Sequence, residues 1–176
     1  MVATNTTICH GENRLVTRGQ ALVCGAPMPE ARLIELTPAG LAAVSLRALR
    51  GVPLLLSVVP SVDTSTCHAQ TRHLAGLLEG FGSRVTSLTV SLDLPFAQRR
   101  WLEREGCHRM RMLSDYRYRE FGEGFGVYIE SLGLLTRAVF LIDTAGVIRY
   151  VDYVENISDE PAYEPLVETL HALMKS

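Results

Sequence analysis

Apolar residues occur in short runs along this chain, and the runs alternate with segments in which apolar positions recur every three or four residues. The run at residues 52–59 is rich in leucine and valine, which is expected of a central strand that other elements cover on both faces. Apolar residues at helical spacing follow between residues 74 and 81, which predicts a helix from about residue 66 to residue 80. The same reasoning predicts further strands at residues 31–36, 85–91, 109–113, 137–142 and 147–154, a helix opened by Pro95 and stopped at Gly106, a short helix at residues 116–121 and a C-terminal helix.

These elements follow one another as strand, helix, strand and helix, with a hairpin and a last helix at the end. Residues 143–146 form the predicted turn of that hairpin. Right-handed crossovers between the first strands and an antiparallel closing pair give a mixed sheet with helices on both sides. The predicted fold is therefore α/β and thioredoxin-like, with a mixed central sheet flanked by helices. Residues 15–24 could supply an N-terminal β-hairpin extension at the sheet edge.

The composition is that of one domain, which we expect to span residues 1–176. Hydrophobic residues make up 47% of the chain, so a packed globule is expected rather than disorder. No apolar run reaches the roughly 20 residues of a membrane span, and the N-terminal residues lack a signal pattern. A formal charge of −2 gives no electrostatic reason to expect nucleic acid or an anionic membrane as a partner. We therefore expect a cytoplasmic protein that binds neither.

The chain contains four cysteines, and their spacing bears on both redox chemistry and metal binding. No two of them form a Cys-x-x-Cys pair, and four cysteines in 176 residues are too few for a secreted disulfide scaffold. Three are followed by a histidine, but adjacent residues rarely ligate one ion and the usual two-residue ligand gap is absent. We expect a reducing compartment, one working thiol and no bound metal. The cysteines are Cys9, Cys24, Cys67 and Cys107, and the histidines are His10, His68 and His108.

One segment joins the central predicted strand to the following helix, and its sequence is Pro60-Ser61-Val62-Asp63-Thr64-Ser65-Thr66-Cys67. Cys67 therefore lies where a loop enters a helix, close to unpaired backbone N–H groups and to the positive end of the helix dipole. That position favours the thiolate, which is the nucleophilic form of cysteine. Thr64, three residues earlier, can turn its hydroxyl toward the same point.

The same residues also allow a purely structural role. A cysteine in the first turn of a helix is often a small buried residue rather than a nucleophile. Asp63 and Thr64 could be helix caps, and Pro60 could end the strand. On this short segment alone, the structural and the chemical interpretations are equally supported.

Further blocks along the chain change that balance. The spacing of Pro60, Thr64 and Cys67 resembles the peroxidatic motif of peroxiredoxins, and four more blocks follow in the order that this family has. The match runs from about Gly11 to the C-terminus, and together the blocks resemble the thiol peroxidase branch of the peroxiredoxins. The blocks are Pro60-Ser61-Val62-Asp63-Thr64 with Cys67, Gln70-Thr71-Arg72, Asp93-Leu94-Pro95-Phe96-Ala97-Gln98, Arg137-Ala138-Val139 and Asp159-Glu160-Pro161-Ala162-Tyr163-Glu164.

The resemblance implies that the Cys67 thiolate attacks the O–O bond of hydrogen peroxide or an organic hydroperoxide and becomes a sulfenic acid. Arg137 would be the neighbouring cation, because it can direct several donors at the peroxide oxygens. Thr64 would hold the distal oxygen by a hydrogen bond, and Pro60 would shield the thiolate from water. The resemblance also implies a homodimer, thioredoxin or another thiol as reductant, and no cofactor. The alternative for Arg137 is an ordinary surface arginine at a strand end.

One position departs from the family pattern. The resemblance places a resolving cysteine at the position that Leu102 occupies here, shortly after the block that begins at Asp93. Cys107 lies five residues later, which on a continuing helix means a rotation of about 140° and a rise of about 7.5 Å. A disulfide needs Cα atoms about 4.4–6.8 Å apart, so Cys107 cannot inherit the bond without rearrangement. Gly106 could end the helix and free Cys107.

Two functions therefore stay open. In the first, the chain is a thiol-dependent peroxidase whose Cys67 sulfenic acid is resolved by an external thiol or by Cys107. In the second, it is a redox sensor or a non-catalytic binding protein on the same scaffold. The intact set of candidate site residues favours the first function, whereas the missing resolving cysteine keeps the second open. A cysteine hydrolase that pairs Cys67 with His68 or His73 is poorly supported, because no third group is placed beside them.

Overall fold

The computed structural model describes residues 6–107 and 110–175. No helix within these ranges is long and apolar enough to cross a bilayer. The strands are β1 (Thr7–His10), β2 (Asn13–Arg18), β3 (Arg32–Thr37), β4 (Gly40–Ser45), β5 (Leu54–Val58), β6 (Thr86–Ser91), β7 (Arg111–Ser114), β8 (Tyr128–Ile129), β9 (Leu134–Leu135), β10 (Ala138–Ile142) and β11 (Ile148–Tyr153). The α-helices are α1 (Ser65–Leu78), α2 (Pro95–Glu105), α3 (Glu120–Gly124) and α4 (Tyr163–Leu173), and short 3₁₀ helices span Leu46–Leu49 and Glu79–Arg84.

The central sheet has seven strands in the order β11-β10-β5-β6-β7-β3-β4. Strands β5, β6 and β7 run parallel, whereas β10 and β3 are antiparallel to their neighbours, so the sheet is mixed as predicted. All residues of β5 are buried, in agreement with its leucine-rich and valine-rich sequence. Because α1 follows β5 after a short loop, its first turn lies at the carboxyl edge of the middle strands, where open α/β sheets bind their ligands.

Residues of β5 alternate between two apolar cores, one on each face of the sheet. Leu55 belongs to the core that also contains Leu74 of α1 and Leu166 of α4. Leu54 and Leu56 belong to the other core. Helices therefore pack against the sheet, and α1 is fixed to the strand that leads into it. In this second core the Phe125 ring contacts the rings of both Phe121 and Phe140.

The predicted N-terminal hairpin is present, but it lies earlier in the chain than residues 15–24. Strands β1 and β2 pair antiparallel, and β8 and β9 extend them into a second sheet of four strands. The predicted range was wrong because Leu15 lies inside β2 rather than at its start. Gly19 ends the strand with a φ of 91°, and β3 begins only at Arg32.

Two further elements differ from the sequence prediction. Strand β4 was not predicted, because it contains two alanines and lies half exposed at the sheet edge, where a strand has little sequence signal. The helix predicted at residues 116–121 is the shorter α3, because residues 116–118 form a turn and Arg119 takes a left-handed conformation with a φ of 61°. The strand predicted at residues 109–113 is β7, and residue 109 itself lies outside the described residues.

Asp115 is a fully buried carboxylate that caps α3. Its Oδ2 accepts a hydrogen bond from the backbone N–H of Gly122 at 2.8 Å, and its Oδ1 accepts one from Phe121 at 3.3 Å. Gly122 permits this approach, because a Cβ at that position would lie 2.9 Å from the Leu135 side chain. Burial raises the pKa of Asp115 to about 6, although the two backbone donors and Arg119 act in the opposite direction.

We expect acid to stabilise the wild-type protein relative to Asp115→Asn. A carboxyl whose native pKa is raised binds more protons in the native state than in the unfolded state, so lowering the pH through about 6 stabilises the fold. The difference in the free energy of unfolding between the two proteins should change on the order of 2 kcal/mol between about pH 7 and pH 4. Denaturant unfolding at a series of pH values measures it, and a constant difference would contradict the assignment.

Candidate active site

Cys67 is the third residue of α1, and the loop that leads to it starts at the end of the central strand β5. The residue before the helix, Thr64, has extended backbone angles (φ −101°, ψ 149°). Backbone N–H groups in the first turn of a helix have no partner within the helix, and they carry the positive end of its dipole. The structure thus places Cys67 at the helix start that the sequence predicted. Its side chain is fully buried.

Arg137 lies between β9 and β10, and only 2% of its surface is exposed. Its Nη2 lies 3.5 Å from the Sγ of Cys67. The same nitrogen and Nε donate to the carbonyl oxygen of Ile157 at 3.0 and 3.1 Å. Its Nη1 donates to Oε1 of Gln70 at 2.5 Å. The guanidinium is therefore held on several sides, and the alternative of an ordinary surface arginine is wrong.

The charge on Arg137 has no acidic partner among the residues that the structure describes. Within residues 6–107 and 110–175, no carboxylate forms an ion pair with it. The oxygens of Ile157 and Gln70 satisfy its N–H groups but are neutral. Burying a charge is costly unless a countercharge compensates it. Besides these oxygens, the guanidinium contacts the Cys67 sulfur, so any negative charge that develops there during a reaction would lie next to this cation.

Gln70 connects the cation to the strand and the helix. It is fully buried, and its Nε2 donates to the Oγ of Ser57 on β5 at 2.8 Å. This bond orients the amide so that Oε1 faces Arg137. Gln70 belongs to one of the sequence blocks that match the family, but no role was predicted for it. Gln70 lies three residues after Cys67, so both side chains lie on one face of the helix. This spacing could have indicated a role for Gln70 in the site.

The structure joins Thr64 to the loop rather than to Cys67. Thr64 is exposed, and its Oγ1 donates to the carbonyl oxygen of Ser61 at 3.3 Å. Its own carbonyl accepts the backbone N–H of His68 at 2.9 Å, which begins the helix. Pro60 is buried just beyond β5. The roles in holding peroxide and in shielding the thiolate stay predictions for these two residues.

Asp93 holds the loop that precedes α1, the helix of Cys67. Its Oδ1 accepts from the hydroxyl of Ser61 at 2.8 Å, and its Oδ2 accepts from the backbone N–H of Val62 at 2.9 Å. The hydroxyl of Ser91 also donates to Oδ2, at 2.8 Å. No role was predicted for Asp93 from the sequence. Because Asp93 follows β6, which is parallel to β5, both strands end at the same sheet edge and the contact could have been inferred.

Leu102 and Cys107 both pack against the apolar residues around Cys67. Helix α2 ends at Glu105, and Gly106 turns the chain with a φ of 67°, so the offset expected on a continuing helix does not apply to Cys107. Burial raises the pKa of the Cys107 thiol. All four cysteines are free. The cluster that Leu102 and Cys107 contact, here termed the Cys67 cluster, comprises Val59, Val62, Cys67, Trp101 and Met112.

Charged side chains join α1 to the end of α2. Glu105 accepts hydrogen bonds from Arg104 at 2.9 Å and from Arg72 at 3.0 Å, and these bonds hold the pKa of Glu105 below its ordinary value. The Nε2 of His68 lies 3.7 Å from the same carboxylate. A surface depression of about 250 Å³ lies beside this group of charged side chains. It is lined by Val62, Asp63, Thr64, Ser65, His68 and Arg104.

His68 and His73, which follow Cys67 in the chain, both contact aromatic rings. His73 stacks on the ring of Tyr163 with centroids 3.8 Å apart, and the His68 ring lies edge-on to Trp101 at 5.5 Å. In the part of the chain that the structure describes, no three side chains of histidine, cysteine, aspartate or glutamate are grouped to hold a metal ion. His108 lies outside the described residues.

Comparison with known proteins gives the family. A family model described as Redoxin matches residues 24–167. A thiol peroxidase of Streptococcus pneumoniae (strain ATCC BAA-255 / R6) is 46% identical over 139 residues, which cover 79% of this chain and 85% of that protein. The chain belongs to the redoxin family. A thiol peroxidase of Bacillus subtilis (strain 168) is 44% identical to this redoxin over 131 residues, or 74% of this chain and 78% of the relative.

Solved structures agree with this assignment. A peroxiredoxin-like protein from Aquifex aeolicus is 34% identical to this redoxin with a TM-score of 0.83, over 95% of this chain and 96% of the other. A thiol peroxidase from Chromobacterium violaceum, 22% identical, shares the fold with a TM-score of 0.84 over 94% and 96% of the two chains. The predictions of a thioredoxin-like fold and of a peroxiredoxin of the thiol peroxidase type are confirmed.

We expect Asp93→Ala to slow the reaction of Cys67 with peroxide by about tenfold to a hundredfold, because a small displacement of a reacting group has effects of that size. The substitution removes the acceptor that holds Ser61 and Val62, and the loop before α1 then loses its fixed position. Single-turnover oxidation measures the rate, and circular dichroism checks that the fold is retained. Asp63→Ala, in the same loop but with an exposed side chain, is the matched control. Equal rates in Asp93→Ala and the wild type would show that the loop does not depend on Asp93.

Proposed function

We propose that this redoxin reduces hydrogen peroxide or organic hydroperoxides at Cys67 and takes its electrons from an external thiol. One observation carries the assignment of residues. The Arg137 guanidinium is buried, lacks a carboxylate partner among the described residues, and has Nη2 3.5 Å from the Cys67 sulfur. This environment supports a thiolate nucleophile next to donors for the peroxide.

In the proposed oxidation step, the Cys67 thiolate attacks one oxygen of the hydroperoxide. An S–O bond forms as the O–O bond breaks, so the sulfur gives up two electrons and the departing oxygen takes up a proton to leave as an alcohol or water. Arg137 holds donors next to the reacting atoms before the reaction begins. Donors that need no reorganisation are a main source of rate where negative charge moves between atoms.

Thr64 and Pro60 complete the proposed site. The hydrogen bond from Thr64 Oγ1 to the Ser61 carbonyl oxygen is long, at 3.3 Å. Thr64 is exposed and Ser61 is partly exposed. Exchanging this hydrogen bond for one to the distal peroxide oxygen therefore costs little. Pro60 is buried and has no N–H group to attract water, which suits a shield over the thiolate.

We assign the reduction of the sulfenic acid to thioredoxin or a small thiol rather than to Cys107. Leu102 fills the position of the family's resolving cysteine, and the raised pKa of Cys107 lowers the share of its attacking thiolate form. The external thiol forms a mixed disulfide with Cys67 and releases water. A second thiol group then displaces Cys67 and carries away the disulfide.

The proposal also covers the domain organisation, the assembly, the location and the partners of this redoxin. We propose a single domain over residues 1–176 that acts as a homodimer in the cytoplasm, with neither nucleic acid nor membrane as a partner and with no cofactor. The net charge of −2 supports the absence of polyanionic partners. The family resemblance implies the homodimer, and the small number of cysteines supports a reducing compartment.

Steady-state hydroperoxide consumption with thioredoxin or a small dithiol tests this function. Cys67→Ser should abolish turnover, because it removes the nucleophile. Cys107→Ser should keep most of the turnover with a small thiol, because Cys107 is not needed for resolution. Retention of activity in Cys67→Ser would refute the assignment. Oxidation of wild-type Cys67 without turnover would favour a redox sensor, and a rapid Cys67–Cys107 disulfide would make Cys107 the resolving residue.

We expect Arg137→Lys to slow oxidation of Cys67 by about a hundredfold, the usual cost of removing one oriented donor. Lysine keeps the charge but cannot reach Ile157, Gln70 and Cys67 together, as the planar guanidinium does. Stopped-flow oxidation with limiting peroxide gives the rate. Arg149→Lys, which alters an exposed pair with Asp143, is the control. A wild-type rate in Arg137→Lys would assign Arg137 to structure alone.

A further inference from the structure

Trp101 carries a buried polar group that has no hydrogen-bond partner in the part of the chain that the structure describes. Its side chain is 2% exposed, and its Nε1–H finds no acceptor among the described residues. The indole nitrogen can only donate a hydrogen bond, so a reversal of donor and acceptor cannot satisfy it. Buried donors of this kind destabilise a folded protein and are uncommon in native structures. An acceptor that forms beside it in another state of the protein would satisfy this donor.

The surroundings of Trp101 limit what that acceptor can be. Trp101 belongs to the Cys67 cluster, and its ring lies edge-on to that of His68, the residue after Cys67, with centroids 5.5 Å apart. Val59 and Val62, which are also in the cluster, have no polar side-chain atom. The thioether of Met112 is a weak acceptor. An oxygen atom added to Cys67 would be the strongest acceptor that this cluster can gain.

We propose that the indole N–H of Trp101 donates a hydrogen bond to the oxygen of the Cys67 sulfenate and so stabilises this intermediate. The inference rests on the proposed function, which forms that oxygen in the oxidation step described above. Arg137 contacts the sulfur from the polar network, and Trp101 supplies a second donor from the apolar cluster. Hydrogen bonds to a charged form favour that form over its protonated state.

Leu102 stands where the family resemblance places a resolving cysteine, and this difference gives the Trp101 donor a function. A peroxiredoxin with a resolving cysteine at that position would consume the sulfenate within the molecule. In this chain the sulfenate waits for an external thiol, and a waiting sulfenate is exposed to further oxidation. Leu102 packs against the same cluster as Trp101, so the donor and the altered position lie together.

The most direct test uses the fact that Trp101 is the single tryptophan of the chain. One equivalent of hydrogen peroxide is added to the Cys107→Ser protein without reductant, and mass spectrometry verifies a single added oxygen on Cys67. The ultraviolet resonance Raman band that reports hydrogen bonding of the indole N–H should then shift toward its hydrogen-bonded position. A small thiol should reverse the shift, and Cys67→Ser should show none. An unmoved band with oxygen present on Cys67 would overturn the inference alone. Failure of Cys67 to gain oxygen would overturn the proposed function and this inference with it.

A variant pair gives an independent readout. Trp101→Phe keeps an aromatic ring but removes the donor, and Met112→Leu alters the same cluster but keeps the donor. A cyclic 1,3-diketone traps the neutral sulfenic acid, so the pH at which trapping falls to half reports the balance between the two forms. This pH should rise by about one unit in Trp101→Phe, where the anion loses a donor, and stay unchanged in Met112→Leu.

Equal values in Trp101→Phe and the wild type would refute the proposal, and the Raman result decides alone if Trp101→Phe does not fold. The charged and titratable groups around Cys67 are the same in both variants, namely Asp63, His68, Arg104, Glu105, Cys107 and Arg137.

Discussion

The contact between the Arg137 guanidinium and the Cys67 sulfur draws on elements that are far apart in the chain. Arg137 precedes β10, Cys67 and Gln70 lie on α1, and the carbonyl of Ile157 follows β11. Hydrogen bonds to a charged group are worth about 1.5–3 kcal/mol each, and a buried charge with unmade bonds costs more than that. A shift of one of these elements against the others would break hydrogen bonds of Arg137 and leave its buried charge without partners. The edge of the sheet that carries the site is therefore held rigidly by the same bonds that orient the cation.

The neutrality of the acceptors matters as much as their positions. Elsewhere in the protein an arginine is paired with a carboxylate, as Arg111 is with Glu35 at 2.7 and 3.0 Å. A carboxylate next to Arg137 would compensate its charge and leave little attraction for a thiolate. The carbonyl and amide oxygens of Ile157 and Gln70 fix the guanidinium without cancelling its field. The field is then available to Cys67 and to the oxygens of a bound peroxide.

The parts of this site that could be predicted from the sequence are those in which side-chain identity and spacing determine the position. The apolar run of β5 and the helix after it place Cys67, whereas the proximity of Arg137 was expected from the family resemblance alone. Ile157 could not be predicted, because a backbone carbonyl is common to every residue and its direction depends on the whole fold. The position of Cys107 could not be predicted either, because it depends on the left-handed turn at Gly106 rather than on the helix before it. Short edge strands such as β4 carry too few buried residues for a clear pattern.

A reductant must reach a sulfur that is fully buried, and the contacts around this sulfur differ in strength. On the polar side, the bonds of Arg137 are buried and hold a charge. On the other side, α2 is attached to α1 through the pair of Arg72 with Glu105, and such pairs at the surface contribute about 0–1 kcal/mol. Gly106 already ends the helix there, so moving the end of α2 away from the Cys67 cluster costs mainly the apolar contacts of Trp101 and Leu102. A peroxide of few atoms needs far less room than a protein thiol. Of the contacts around this sulfur, those that α2 makes are therefore the weaker ones.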